Sequence, residues 1–135
     1  MKSRLLIVED EDKLRRVVEL QLRSAGYEIE QAQSAEAGLA VADRADLIIT
    51  DLRLPGKDGL SFLKELRNRR LTVPVIVMTA YSSVETAVDA MKAGAQDFLP
   101  KPFSMDHLLT VVEKALEVRA LRDENESLRE QWQPV

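Results

Sequence analysis

The sequence predicts an α/β fold, a (βα)5 doubly wound parallel sheet with helices on both faces. Two patterns carry this. Residues 5–8, 47–50 and 73–79 are short, rich in β-branched side chains and apolar at consecutive positions, as parallel strands covered on both faces are. Segments with helical spacing lie between these runs, and that alternation implies βαβ units with right-handed crossovers. The chain's 135 residues, 45% of them hydrophobic, suffice for one domain with a core that needs no staples.

The elements follow in order. The run 5–8 is the first strand. Leu14, Val17, Val18, Gln21, Leu22 and Ala25 mark a helix that Gly26 stops. Residues 27–30 alternate apolar and polar, like a half-exposed edge strand. A second helix covers 34–42, with Ser34 as its N-cap. The run 47–50 is the third strand, and Leu60, Leu63 and Leu66 mark the third helix. The fourth strand is 73–79. Ser82 and Glu85 stand at capping-box spacing ahead of the fourth helix, whose apolar face is Val84, Ala87, Val88 and Met91 and which Gly94 ends. Residues 97–99 are a weaker fifth strand. A fifth helix starts near Ser104, with Leu108, Leu109, Val111, Val112, Ala115 and Leu116 on one face, and extends into a charged C-terminal segment.

Composition removes several classes of function. Cysteine is absent and there is one histidine. Disulfide scaffolds, thiolate metal sites, cysteine nucleophiles and multi-histidine zinc sites are therefore excluded. His107, at the start of a helix, reads as a surface residue rather than a phosphodonor. The net charge of −4 speaks against direct nucleic-acid binding. Nothing approaches a membrane span, and a cytoplasmic protein is expected.

Ligands of open parallel sheets bind outside the carboxyl ends of the strands. Glu9 and Asp10 follow the first strand, Asp51 ends the third, Thr79 ends the fourth, and Lys101 and Pro102 follow the fifth. One acid there would be a polar strand terminator. Three on adjacent strands must share protons, bind a cation, or both, because carboxylates ~4 Å apart repel by roughly 4 kcal/mol at an effective dielectric of 20. All-oxygen ligands favour a hard divalent ion such as Mg2+, and Lys101 adds a compact positive charge for an incoming anion. A carboxylate beside both is arranged as a nucleophile toward phosphorus, with an acyl phosphate as product. The turn signals Pro55-Gly56 and Asp58-Gly59 let the loop curl until a backbone carbonyl near Arg53 faces the metal.

The set Glu9-Asp10, Asp51 with Pro55 and Asp58-Gly59, Thr79-Ala80 and Lys101-Pro102-Phe103 resembles the receiver domain of two-component response regulators over roughly residues 3–118. The resemblance implies a CheY-like fold with strand order 2-1-3-4-5. It implies that Asp51 accepts a phosphoryl group from a phosphohistidine on a sensor histidine kinase, so that the protein is a phosphoacceptor switch rather than an enzyme. Mg2+ would be held by Glu9, Asp10, Asp51 and the Arg53 carbonyl. Lys101 would bridge the acids and then a phosphoryl oxygen, and Thr79 would donate its hydroxyl to the phosphoryl group. Phe98 matches the family's aromatic switch position, with Phe where many members have Tyr. Arg53 and Tyr81 match the two positions that tune hydrolysis, and both being large implies a lifetime longer than seconds. The readout face would be the fourth helix, fifth strand and fifth helix, where Lys92, Asp97 and Arg119 either pair across a homodimer or form a plain solvated face.

By this reading residues 1–118 form the receiver domain and 119–135 a helical linker. Val118, Leu121, Asn125, Leu128 and Trp132 fall at spacings 3, 4, 3 and 4, a coiled-coil seam of about two heptads with Asn at an a position. The alternative is a solvated extension of the fifth helix. Residues 121–128 resemble linkers of NtrC-like regulators, which implies the N-terminal receiver of a sigma-54-dependent transcription factor, followed by an AAA+ effector domain beyond this chain. No Walker A motif occurs, so no ATP hydrolysis or DNA binding is expected of this segment itself. Two other classes compete less well. Aspartyl-phosphate phosphatases resemble DxDx[TV], and Arg53 stands where the second acid belongs. A flavin module needs a phosphate-binding loop where the acids of 9–12 would repel the phosphate.

Overall fold

The computed structural model describes residues 2–80 and 83–131, and the side chains of 125–131 fall outside that description. The elements run β1 (Arg4–Val8), α1 (Asp12–Ser24), β2 (Glu28–Ala32), α2 (Ala35–Leu39), a single 3-10 turn (Ala42–Arg44), β3 (Leu47–Asp51), α3 (Gly59–Asn68), β4 (Val75–Thr79), α4 (Val84–Lys92), β5 (Asp97–Pro100) and α5 (Met105–Gln131). The strands form one parallel sheet in the order β2-β1-β3-β4-β5. Both the (βα)5 architecture and the expected strand order are present.

Consecutive side chains of the strands serve opposite faces. Leu6, Val8, Ile48, Val75 and Val77 pack with Phe62, Leu63 and Leu66 of α3 and Ala90 of α4. Leu5, Ile7, Leu47, Ile49, Ile76, Met78 and Leu99 pack with Val18 and Leu22 of α1 and Leu108, Val111 and Val112 of α5. Burying each large side chain contributes roughly 1.5–3 kcal/mol, so all-apolar strands are what a two-faced core selects.

Several helix details differ from the sequence expectation. Ser34 caps α2 as predicted, accepting from Ala37 N at 3.1 Å, but the helix stops at Leu39 and is followed by the 3-10 turn. α2 lies close to the sheet: a Cβ on Gly38 would stand 3.0 Å from Val8 Cγ2 and 3.3 Å from the Phe62 ring. The fourth strand begins at Val75 rather than 73, after Pro74, which has no N–H to give a ladder. α4 is capped by Ser83, whose Oγ accepts from Thr86 N at 3.1 Å, not by the predicted Ser82–Glu85 box; Ser82 lies outside the described residues. Three of the four residues of the expected apolar face of α4 turn outward, and the fourth, Ala87, is half-buried. Val84, Val88 and Met91 are exposed and only Ala90 is fully buried. Val17 of α1 is likewise exposed, while Arg15 is buried in its place.

α5 runs without a break past residue 118. Arg119 ties it to the base of the sheet, donating from Nη1 to the carbonyls of Asp46 (2.6 Å) and Ala45 (3.3 Å). Of the predicted seam, Val118 is half-buried and Leu121 is exposed; the side chains of Asn125 and Leu128, and all of Trp132, lie outside the described residues. Among the described residues no helix is long and apolar enough to cross a membrane.

Candidate functional site

The parallel register brings the strand ends together. Val8 pairs with Thr50, Asp51 with Met78, and Thr79 with Pro100. Glu9, Asp51, Thr79 and Lys101 therefore meet at one edge of the sheet. Their burial is unusual for polar residues: Glu9 is 1% exposed, Asp51 6% and Thr79 0%.

Lys101 joins the acids. Its Nζ donates to Asp51 Oδ2 at 2.6 Å and to Glu9 Oε1 at 3.0 Å. Asp51 Oδ1 accepts from Arg53 N at 3.0 Å, and Glu9 Oε2 accepts from Asp10 N at 3.1 Å. Burial pushes the Glu9 carboxyl up to about 7; the Lys101 hydrogen bond opposes this and the charge of Asp51 adds to it. Burial alone would lower the pKa of Lys101, but its bonds to Asp51 and Glu9 outweigh that and raise it. The ammonium is thus a resident counter-charge for two buried carboxylates.

The loop after β3 is folded back tightly. Gly59 N donates to Leu52 O at 2.9 Å, and a Cβ on Gly59 would stand 2.8 Å from Leu52 Cα. Asp58 caps α3, its Oδ1 accepting from Ser61 N at 2.8 Å. A groove lined by Asp10, Leu52, Arg53, Leu54, Pro55, Asp58 and Leu60 opens beside the acids. An apolar recess lies on the other side of Lys101, between Leu14, Ala80, Phe103 and Met105. Thr79 lies under this edge, and its carbonyl accepts from Lys101 N at 2.9 Å.

Asp10 is exposed and is not drawn into the buried pair. Among the described residues no three His, Cys, Asp or Glu side chains close into a metal-holding group. The donor chemistry nevertheless suits a hard divalent cation. Every donor is oxygen, and the two buried carboxylates already hold a cation, the Lys101 ammonium, between them.

Phe98 is half-buried and packs against the α3–α4 side of the core. Arg53 is exposed beside the groove. Tyr81 lies outside the described residues. His107 is exposed, in keeping with a surface residue. One residue escaped the sequence reading. Arg15 sits directly behind the acidic loop with its guanidinium bonded to the Glu9 carbonyl, Asp12 and Gln31. Its only signal was a place among three cations, Lys13, Arg15 and Arg16, just after a run of four acids.

Residues 5–113 match the family model described as response regulator receiver domain. The chain is 39% identical to Regulatory protein AtoC of Escherichia coli over 97% of its own length and 30% of that protein. It is 40% identical to the DNA-binding transcriptional regulator NtrC of Escherichia coli, over 82% of this chain and 24% of NtrC. It thus spans less than a third of these curated relatives. Among solved structures, NtrX from Brucella abortus superposes with a TM-score of 0.87 at 38% identity, over 95% of this chain and 30% of that one. A CheY-like receiver domain protein from Methanospirillum hungatei gives 0.85 at 29% identity, over 90% and 99%.

Proposed function

Because the chain belongs to the response regulator receiver domain family, we propose that it is the phosphoryl-accepting switch of a two-component transcription regulator. Its donor is the phosphohistidine of a sensor histidine kinase, and its acceptor is Asp51. The observation that carries this is the Lys101 bridge, which holds a buried Asp51 and Glu9 around one cation at the strand ends.

An Asp51 carboxylate oxygen attacks phosphorus in line, and the electron pair of the breaking N–P bond returns to an imidazole ring already protonated at its other nitrogen, which leaves neutral. Receiver domains of this family generally bind Mg2+. Glu9, Asp10, Asp51 and the Arg53 backbone carbonyl are the residues to hold it, and it supplies neutralisation of the phosphoryl oxygens. Lys101 keeps one phosphoryl oxygen paired, and the buried Thr79 hydroxyl donates to another. Arg53 and Tyr81 limit water's approach, giving a phosphoryl lifetime longer than seconds. The protein itself is a switch, with self-catalysed transfer and hydrolysis as its whole chemistry.

Phosphorylation adds roughly −1.5 to −2 charge and three acceptor oxygens. Thr79 moves toward them, the segment leading to α4 follows, and Phe98 repacks. The equilibrium between two packings shifts, and the α4-β5-α5 face reads it out. The exposed Val84, Val88 and Met91 on α4 support an apolar docking role for that face in a homodimer. The 119–135 segment then links the 1–118 receiver to a sigma-54-type effector domain, in the cytoplasm, and this segment does not itself contact DNA or membrane. The exposed Leu121 is available to a seam.

The test is incubation with acetyl phosphate and Mg2+ followed by intact mass and peptide mapping. The wild type gains one phosphoryl group on Asp51 and Asp51→Asn gains none. A label on another residue overturns the assignment.

A further inference from the structure

Glu9, Asp10, Glu11 and Asp12 are four consecutive acids, yet only the first is buried at the strand-end cluster. Something must sort them. Arg15, on α1, is 9% exposed. Its Nη1 donates to the Glu9 backbone carbonyl at 2.7 Å, its Nη2 to Asp12 Oδ1 at 2.6 Å, and its Nε to Gln31 Oε1 at 3.1 Å. One planar cation thus grips the end of β1, the first turn of α1 and the edge strand β2.

This arrangement does two things to the loop. It fixes the direction of the Glu9–Asp10 peptide, and so the directions in which the two carboxylates leave the backbone; Glu9 N is fixed as well, donating to Ala32 O at 3.0 Å. It also draws Asp12 away from the cluster into a salt bridge on the far side of the turn. A lysine could supply the charge but not the three-way fork.

We infer that Arg15 is a positioning residue for the metal-binding acids, setting the Glu9–Asp10 turn in the geometry that captures the divalent cation. This rests on the functional reading above, and the experiment separates the two. The apo chain of residues 1–135 is titrated with MgCl2 calorimetrically, and acetyl phosphate labelling is followed as a function of Mg2+ concentration. Wild-type protein that neither binds Mg2+ nor labels at Asp51 defeats the functional reading and this inference with it. Given normal wild-type behaviour, Arg15→Lys, which conserves charge, weakens Mg2+ binding about tenfold, as loss of a supporting contact behind a ligand does. Its half-saturating Mg2+ for labelling rises by the same factor, while the labelling rate at saturating Mg2+ changes far less. Gln31→Ala removes only the Nε contact on an exposed, uncharged side chain, so it remains folded even if Arg15→Lys does not, and it shifts the same Mg2+ constant in the same direction by a smaller factor. A purely structural role lowers the urea midpoint of unfolding and leaves both Mg2+ constants within twofold of wild type; that result overturns the inference.

Discussion

The Lys101 ammonium stands 2.6 Å from Asp51 Oδ2, joining residues 50 positions apart across the end of the sheet. The same nitrogen reaches Glu9 at 3.0 Å, so one side chain compensates two carboxylates that water barely touches. Each member of this trio is costly without the others.

Lys101→Met leaves both acids uncompensated. Removing one partner of a buried ionic group costs about 3 kcal/mol or somewhat more. The urea midpoint of the metal-free protein should fall accordingly. Added Mg2+ should recover more stability in the variant than in the wild type, because the cation then has no ammonium to displace. Equal recovery in both proteins would contradict the assignment of Lys101 as the resident counter-charge.

The Glu9 carboxyl titrates at about 7 in the fold, against an ordinary 4.5. An acid with a raised folded pKa binds more protons folded than unfolded between those values, so stability falls as pH rises. Its contribution is complete below about pH 4.5 and lost as pH climbs through 7, a swing of up to about 3 kcal/mol. Urea midpoints of metal-free protein between pH 5 and 8 measure it. Glu9→Gln should flatten that slope.

Gly59 has no room for a side chain, since a Cβ would sit 2.8 Å from Leu52 Cα and against the Asp51 carbonyl. Gly59→Ala should destabilise the fold by about 3 kcal/mol or more and slow labelling of Asp51, because the strain falls on the backbone that carries the acceptor. Labelling at the wild-type rate would mean that the loop absorbs the methyl group elsewhere.

Thr79→Ala separates receiving the signal from transmitting it. The variant should still take one phosphoryl group on Asp51 by intact mass. Hydrogen exchange in α4 should then be unchanged by phosphorylation, whereas the wild type responds. A wild-type response in the variant would move the switch to another residue.

Val88 and Met91 are 42% and 48% exposed, so Val88→Asp and Met91→Asp should alter stability by no more than about 0.5 kcal/mol. Sedimentation of the beryllofluoride-activated protein should show dimerisation weakened in both. A dimer of undiminished affinity would exclude this face.

Much of the fold was legible because a two-faced parallel sheet leaves a strong mark: the apolar runs at β1, β3 and β4 have no other economical explanation at that length. The strand-end acids, hydroxyl and amine were legible for the same reason, since topology alone brings strand termini to one edge. Residue faces were less so. Val84, Val88 and Met91 have the spacing of a buried stripe, but α4 brings only Ala90 fully into the core, so periodicity located an apolar face without saying what covers it. Phe62, fully buried, did not stand out beside the leucines of its helix. Arg15 was invisible for the opposite reason: a charged residue in an amphipathic helix reads as solvent-facing until its three partners, one of them on β2, are seen.

Arg119 holds α5 where the helix leaves the base of the sheet, and α5 continues from there to Gln131 as part of one 27-residue rod. Arg122 and Asp123 still line clefts against the domain, and at 1.5 Å per residue the portion beyond them projects about 12 Å. Such a rod has leverage. By simple trigonometry on that length, a tilt of about 10° carries its tip roughly 2 Å, enough for a side chain to change neighbours. A rearrangement too small to notice inside the domain would arrive at the far end as a change of address.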